Sequence, residues 1–245
     1  MGDGFGDCEF SLELVDSIVT KLDKGKLPGL DHLSAEHLHN CHPIVIVTIS
    51  KLFKTMLCAN YVPDAFGLGL TIPIPKCDSK RVYDKVEDYR GITISPVISK
   101  IFELCLARCL QMYLSSSNRQ FGFKKGSGCS NAIYTLRKVV DNFTLNNSTI
   151  NICSLDLSKA FDNLNHSILF NKLMNRNVPC VIVKLLHCWY NKVFNIVRWG
   201  SATSTLFKLS SGVRQGGILS PAFFATYVND VLLKLEKSKL AVTLN

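Results

Sequence analysis

Hydrophobic residues recur at helical spacing over most of residues 10–60, with breaks at Gly25 to Gly29 and near Pro43. Side chains three and four positions apart share one face of an α-helix. The spacing therefore predicts one helix from about residue 10 and a second helical stretch from Ser34 through Met56. We expect residues 1–69 to form a helical extension.

Four later stretches also show a helical pattern. Ser130 and Ser220 are predicted N-caps, Pro179 is expected to open a helix, and another helix is expected to begin near Asn163. The apolar face of the first helix comprises Ile133, Leu136, Val139, Val140 and Phe143. In the last helix the residues expected to face a core are Phe223, Phe224, Tyr227, Val228 and Val231.

Strand patterns occur in three places. Leu70 to Lys76 alternates apolar residues with prolines, which predicts a short edge strand because proline cannot donate to a ladder. Residues 194–199 and 205–209 predict a hairpin. An apolar run from Ile150 to Leu157 predicts a buried strand, which carries the carboxylate of Asp156.

Charge is unevenly distributed along the 245 residues, whose hydrophobic content of 47% and charged content of 19% are typical of a globular protein. Residues 1–75 carry a net charge of −4, and residues 76–245 carry +13. A positive field of this size suits a polyphosphate or nucleic-acid partner. A surface of scattered, solvated lysines is the alternative, and charge alone does not separate the two.

Ten cysteines would suit a disulfide framework in a short secreted chain, but the sequence opens with MGDGFGDCEF, which is not a signal peptide. We therefore expect an intracellular location and leave nuclear and cytoplasmic both open. No two cysteines form a C-x-x-C pair, which argues against zinc. The most apolar windows, residues 43–49 and 181–197, are too short or interrupted by charge, so no membrane partner is predicted.

Asp156 is the residue whose chemistry most needs an explanation. A carboxylate in an apolar strand needs a cation, hydrogen-bond donors or a metal to offset its desolvation. A structural alternative is that Asp156 caps a turn before the next helix. Phe161 and Asp162 follow five and six positions later. A metal-dependent hydrolase built on Asp156 and Asp162 is a further alternative, disfavoured because the two acids need not converge.

Other segments combine basic, glycine and aromatic residues. Lysine and arginine suit phosphate oxygens, and in the loop within residues 120–143 the glycines let backbone N–H groups approach an anion. For any single residue, a surface charge or an ordinary loop is the alternative interpretation. The segments are I-P-K at 74–76, Y-R at 89–90, K-I-F-E at 100–103, Q-F-G-F-K-K at 120–125 and S-G-V-R-Q-G-G-I-L-S-P at 211–221.

Together with D-L-S-K-A-F-D at residues 156–162, these segments resemble the reverse transcriptase domain of non-LTR retrotransposons of the long interspersed type. The resemblance implies that Asp156 is catalytic and binds Mg²⁺, and that Phe161 is the steric gate beneath the sugar of the incoming nucleotide. Gln215 would pack beside that nucleotide. The implied partners are an RNA template, a DNA primer and deoxynucleoside triphosphates.

The basic residues are assigned on two grounds. By resemblance, Lys76 and Arg90 would hold the triphosphate. From their positive charge, Lys124, Lys125 and Arg214 are expected to contact nucleic acid. Gly91 stands where the family usually has proline, and Gly217 with Ile218 occupies a variable pair.

The implied fold is α+β, namely the fingers and part of the palm of a right-hand polymerase. We expect fingers at residues 70–148, a partial palm with an antiparallel sheet and packed helices at 149–245, and no thumb. The family's Y-x-D-D hairpin, with two further aspartates, does not occur up to Asn245. A truncated and inactive polymerase is therefore expected, and a non-catalytic nucleic-acid-binding remnant is the alternative.

Overall fold

The computed structural model describes residues 10–76, 85–124 and 126–238, and over these ranges the protein is mixed α+β, as predicted. The same ranges contain no helix both long enough and apolar enough to span a membrane. The helices are α1 (Leu12–Thr20), α2 (Ala35–His39), α3 (Pro43–Ala59), α4 (Val97–Leu110), α5 (Cys129–Leu145), α6 (His166–Asn175), α7 (Cys180–Tyr190) and α8 (Ser220–Lys237). The strands are β1 (Leu68–Pro75), β2 (Tyr89–Ile94), β3 (Phe194–Trp199), β4 (Ala202–Thr203) and β5 (Phe207–Lys208).

The strands form one mixed sheet in the order β2-β1-β3-β4, with β5 also paired to β3. β1 runs antiparallel to β2 and parallel to β3, while β4 and β5 both run antiparallel to β3. Within residues 149–245, where an antiparallel sheet was predicted, β3 is antiparallel to β4 and β5, but the whole sheet is mixed because β1 pairs in parallel with β3. A parallel pair needs a long crossover, and α4 to α7 all lie between β1 and β3 in the chain.

β1 is an inner strand over its first half, so the prediction of an edge strand is wrong there. Leu68 to Thr71 pair with Phe194 to Val197 of β3. Pro73 and Pro75 lie beyond this register and have partners in β2. Because proline has no N–H to donate to a second neighbour, both prolines fall where β3 no longer pairs with β1.

The predicted buried strand at residues 150–157 is absent, since this segment has no regular secondary structure. Its apolar side chains are exposed, with Leu155 at 81% and Leu157 at 60%. A strand exists only when its backbone groups pair with a neighbour, and the sheet described above does not extend to this segment. The apolar pattern predicted a strand, but a pattern within one segment does not show which other segment would pair with it.

Helix α5 forms as predicted, but its apolar face does not pack into the core. None of its residues is buried, and Ile133 is 65% exposed. Gly128 rather than Ser130 is the N-cap, where the Asn131 side chain accepts the Gly128 N–H at 3.1 Å. The predicted helical period is confirmed, and no residue on the apolar face of α5 is buried.

The remaining predicted elements are confirmed with small changes in their ends. α7 follows Pro179, and β3 to β5 supply the hairpin. α6 begins at His166 rather than near Asn163, because the Asn165 side chain accepts the Ile168 N–H at 3.1 Å. In α8, the last of the predicted helices, Phe223 is fully buried whereas Val231 is 56% exposed.

The hydrophobic core lies where α1, α3, α4 and α7 pack together. Phe102 of α4 is at its centre, with ring centroids 5.0 Å from Phe53 and 5.4 Å from Trp189. The same cluster of buried residues continues from Phe10 to Phe223, across all the predicted domain boundaries. The division at residues 69/70 and 148/149 stays a prediction.

Candidate functional site

A glycine-rich loop at residues 211–219, here called the glycine loop, connects most of the predicted site. Its Val213 N–H donates to the Phe161 carbonyl at 2.9 Å. Its Gln215 carbonyl accepts the Thr93 N–H of β2 at 2.6 Å. The loop therefore joins the turn that carries Phe161 to the strand that carries Arg90.

Two glycines allow these close approaches. At Gly212 the backbone φ is +81°, and a Cβ would lie 2.7 Å from the carbonyl oxygens of Phe161 and Asp162. At Gly216 φ is +111°, and a Cβ would lie 2.6 Å from the Thr93 carbonyl. Any other residue would be strained by its backbone conformation and would also clash. Gly212 and Gly216 therefore have a packing role.

Glu103 fixes the other end of the glycine loop from inside the core. Its carboxylate accepts the N–H groups of Ile218 and of Leu219, the latter at 3.3 Å. α8 begins at the next residue and receives no capping hydrogen bond from Leu219, its own N-cap. The predicted cap, Ser220, is instead the first helical residue. A carboxylate at this helix terminus is also favoured by the helix dipole.

Burial raises the pKa of Glu103, and this effect outweighs the opposing influence of Arg214 and of the two backbone donors. A guanidinium nitrogen of Arg214 lies 3.7 Å from a carboxylate oxygen of Glu103, and the two groups form an ion pair. A cavity of about 20 Å³ beside Glu103 and Arg214 also borders Tyr190. That volume is enough for one water molecule.

Arg214 lies in the interior, so the structure disagrees with its prediction as a nucleic-acid contact. Its side chain is 6% exposed and pairs with Glu103. Its guanidinium also donates to the Leu68 carbonyl at 3.4 Å and lies 6.0 Å from the Trp189 ring. A group enclosed in this way holds the loop to the sheet and does not face a phosphate.

Lys76 and Arg90 lie at the end of the β1–β2 pair where the chain connects the two strands. Ile74 lies opposite Arg90, and the Lys76 N–H donates to the Asp88 carbonyl at 2.8 Å, which continues the same register. Because side chains alternate across a strand, Lys76 and Arg90 share one face of this hairpin. Both residues are exposed, and the Lys76 ammonium donates to the Glu87 carbonyl at 2.6 Å.

Asp156 lies in the irregular segment before the Phe161 turn and is exposed. The turn is closed by the Lys159 carbonyl, which accepts the N–H groups of Asp162 and Asn163 at 3.0 Å. Nowhere in residues 10–76, 85–124 and 126–238 do three His, Cys, Asp or Glu side chains gather into a possible metal site.

Phe161 is half-buried and contacts two other phenylalanines. Its ring stacks on Phe224 of α8, with centroids 4.9 Å apart and an interplanar angle of 20°. Phe123, from the Q-F-G-F segment, meets Phe161 edge-on at 5.8 Å. Aromatic residues from three separate motifs therefore converge at one place.

The predicted basic contacts before α5 are only partly described. Lys124 is half-buried, and its ammonium donates to the Asn118 side chain at 3.2 Å. Lys125 lies outside the described residues. Their contact with nucleic acid stays a prediction.

Sequence reasoning missed Glu103 and the stacking role of Phe224. Glu103 was visible as the acid of K-I-F-E, where the following α4 residues are largely apolar. An acid on the apolar face of a helix is a signal for a buried partner. Phe224 was expected only to face a core.

Comparison with known proteins agrees with the motif order. Residues 74–244 match the family model described as reverse transcriptase (RNA-dependent DNA polymerase). The chain is 27% identical over 234 residues to the probable RNA-directed DNA polymerase from transposon X-element of Drosophila melanogaster, covering 93% of this chain and 25% of that protein. It is 27% identical over 229 residues to the RNA-directed DNA polymerase from mobile element jockey of Drosophila funebris. This match covers 90% of this chain and 24% of that protein.

A third relative is the retrovirus-related Pol polyprotein from type-2 retrotransposable element R2DM of Drosophila melanogaster, 26% identical over 239 residues, which cover 95% of this chain and 22% of that protein. The chain thus spans about a quarter of the length of these curated relatives. It belongs to the reverse transcriptase (RNA-dependent DNA polymerase) family. Its relatives are polymerases of non-LTR retrotransposons, as the motifs predicted.

Proposed function

We propose that this chain forms the nucleotide- and template-binding part of an RNA-directed DNA polymerase of a non-LTR retrotransposon. The observation that carries the proposal is the glycine loop, which is hydrogen-bonded both to β2 and to the Phe161 turn. One connected backbone thereby fixes the basic end of the β1–β2 hairpin relative to the aromatic ring. The proposed partners are an RNA template, a DNA primer and deoxynucleoside triphosphates.

Each side chain has a chemical role in this proposal. Arg90 presents a planar guanidinium that can bind two phosphate oxygens at once, and Lys76 adds a mobile positive charge on the same face. Phe161 lies beneath the sugar and excludes a 2′-hydroxyl by its volume. Gln215, which is half-buried, packs beside the nucleotide and the template base.

Asp156 is the proposed ligand for Mg²⁺. In nucleotidyl transfer two such ions would stabilise the charge on the attacking and leaving oxygens. The carboxylate has the hard oxygen that magnesium prefers, but a single carboxylate holds this reluctantly dehydrated ion poorly. The matched motifs supply one such acid. We therefore propose that these 245 residues do not extend a primer on their own.

A primer-extension assay on the purified chain tests this part of the proposal. RNA template, DNA primer, deoxynucleotides and Mg²⁺ are supplied, and Asp156→Asn is assayed beside the unchanged chain. We expect no extension from either protein. Extension by the unchanged chain alone would contradict the proposal and would mean that other acids complete the site.

A non-catalytic nucleic-acid-binding protein is the second candidate. It is favoured by the net charge of +13 on residues 76–245 and by the exposed position of Asp156. Nucleotide binding separates the two candidates, because only a polymerase site needs to hold a triphosphate.

Saturation-transfer NMR with dATP can detect such binding even when it is weak. We expect Arg90→Ala to abolish the signal from bound dATP, because it removes the proposed triphosphate contact. Arg108→Ala is the matched control, since Arg108 is an exposed arginine of α4 with no proposed role. Binding of an RNA–DNA hybrid without any binding of dATP would favour the second candidate.

A further inference from the structure

Phe161 is held by contacts on more than one side. Phe224 covers one face of its ring in a stacked arrangement, with centroids 4.9 Å apart. Phe123 lies edge-on to both rings, at 5.8 Å from Phe161 and 6.2 Å from Phe224. The Phe161 carbonyl accepts the Val213 N–H, so backbone and ring are both fixed.

Phe224 is itself held in place by the start of α8. The next residue back, Phe223, is fully buried in the core, and consecutive helical residues point in different directions. Glu103 accepts the N–H groups of Ile218 and Leu219 just before the helix. The Phe224 ring therefore belongs to a helix that is anchored at its first turn, and it cannot move away without disturbing the core.

We propose that Phe224 is a positioning residue. It holds the Phe161 ring close beneath the sugar and so contributes to the choice between deoxyribose and ribose. This inference rests on the proposed role of Phe161 as the residue beneath the sugar. Phe224 does not touch the nucleotide. It occupies the space into which the Phe161 ring would otherwise relax, and that relaxation would leave room for a 2′-hydroxyl.

The test measures the ratio of affinities for dATP and ATP in the full chain bound to poly(rU) annealed to oligo(dA). Competition in saturation-transfer NMR gives this ratio on a single sample, so loss of folded protein cancels. An apolar surface can reject an added hydroxyl by roughly 100-fold at most. We expect Phe161→Val to remove the preference for dATP and Phe224→Leu to reduce it about tenfold.

Two control variants separate positioning from general packing. Phe224→Tyr keeps the stacked ring and should preserve the ratio. Phe53→Leu makes the same change as Phe224→Leu at a fully buried core position outside α8, and it should lower stability without altering the ratio. If Phe224→Leu does not fold, Phe224→Met retains most of the volume, lacks the ring and should show the same loss of selectivity.

Each result bears on one proposal or on both. A ratio unchanged in Phe224→Leu or Phe224→Met, together with a ratio lost in Phe161→Val, overturns the positioning role and leaves the proposed function intact. A ratio unchanged in Phe161→Val overturns the proposed role of Phe161 and this inference with it. Absence of any nucleotide binding by the unchanged chain overturns both.

Discussion

Glu103 connects two parts of the candidate site from a position that is 5% exposed. Its carboxylate receives two backbone N–H groups at the start of α8 and pairs with Arg214. Burial nevertheless raises its pKa, because desolvation is larger than these favourable contacts. The burial of Glu103 therefore makes the stability of the folded protein depend on pH.

The sign of that dependence follows from proton linkage. The folded protein binds a proton at Glu103 more tightly than the unfolded chain, whose carboxyl has its ordinary pKa of 4.5. The free energy of unfolding should therefore fall as pH rises from 4.5 to the raised folded pKa. The Glu103 contribution has a limiting slope of about 1.4 kcal/mol per pH unit for one proton. Below pH 4.5 this contribution is fully present.

Urea unfolding of Glu103→Gln over the same pH range checks this prediction. Glutamine keeps an acceptor for the two N–H groups but does not titrate. The difference in the free energy of unfolding between the unchanged chain and Glu103→Gln should therefore change with pH at the predicted slope. Arg214→Met should extend the sloping range to higher pH, because Arg214 lowers the Glu103 pKa. Parallel pH profiles for the unchanged chain and Glu103→Gln would contradict the raised pKa.

Individual site residues differ in how far the sequence could reveal them. The motifs pointed to Arg90 and Phe161 because the residues next to them in the sequence complete each motif. Glu103 could not be assigned to the loop, because its partner Ile218 is 115 positions away. Arg214 was misjudged for the same reason. A charge in a glycine-rich segment looks exposed until the chain that covers it is known.

At the scale of elements, periodicity predicted which segments are regular better than it predicted what they contact. α5 has the expected apolar face, yet no residue of that helix is buried. Residues 150–157 have a strand-like pattern and remain irregular and largely exposed. Spacing is a local property, whereas burial and pairing need a second segment at the right distance.

This difference predicts unequal effects for the same substitution in two helices. Leu136 of α5 is 49% exposed, and Leu106 of α4 is fully buried. Leu136→Ala should change the free energy of unfolding by less than about 0.5 kcal/mol. Leu106→Ala should lower it by roughly 2–5 kcal/mol, because it leaves a cavity in the core.

Urea denaturation of the two single-substitution variants and of the unchanged chain gives the free energies of unfolding to be compared. Equal losses would show that α5 packs against other parts of the chain in solution. A small loss for Leu106→Ala would contradict its placement among the rings of the core.

At the scale of the whole molecule, the hydrophobic core is continuous along the chain, whereas the net charge differs between its two parts. The core is continuous from Phe10 to Phe223, but the net charge changes from −4 in residues 1–75 to +13 in residues 76–245. The acidic part supplies α1 to α3, of which α1 packs against α4 and α3 packs against α7 in the basic part. The positive charge thus belongs to the region that also contains the glycine loop and the Phe161 turn.

A nucleic-acid partner bound through that charge should dissociate as salt is added. Each neutralised phosphate releases counterions, so a protein with several phosphate contacts loses on the order of 10³-fold or more in affinity between about 50 and 200 mM salt. We expect binding of an RNA–DNA hybrid, measured by fluorescence anisotropy, to follow this trend. Lys124→Gln should reduce the slope of log affinity against log salt by about one, as expected for a single phosphate contact.

Lys51→Gln is the matched control for this measurement. It removes the same charge from an exposed position of α3, within the acidic part of the chain, and should leave the slope unchanged. An equal effect of both substitutions would mean that the hybrid responds to net charge and not to a defined surface. Affinity that does not change with salt would mean that the +13 of residues 76–245 is a solvated surface.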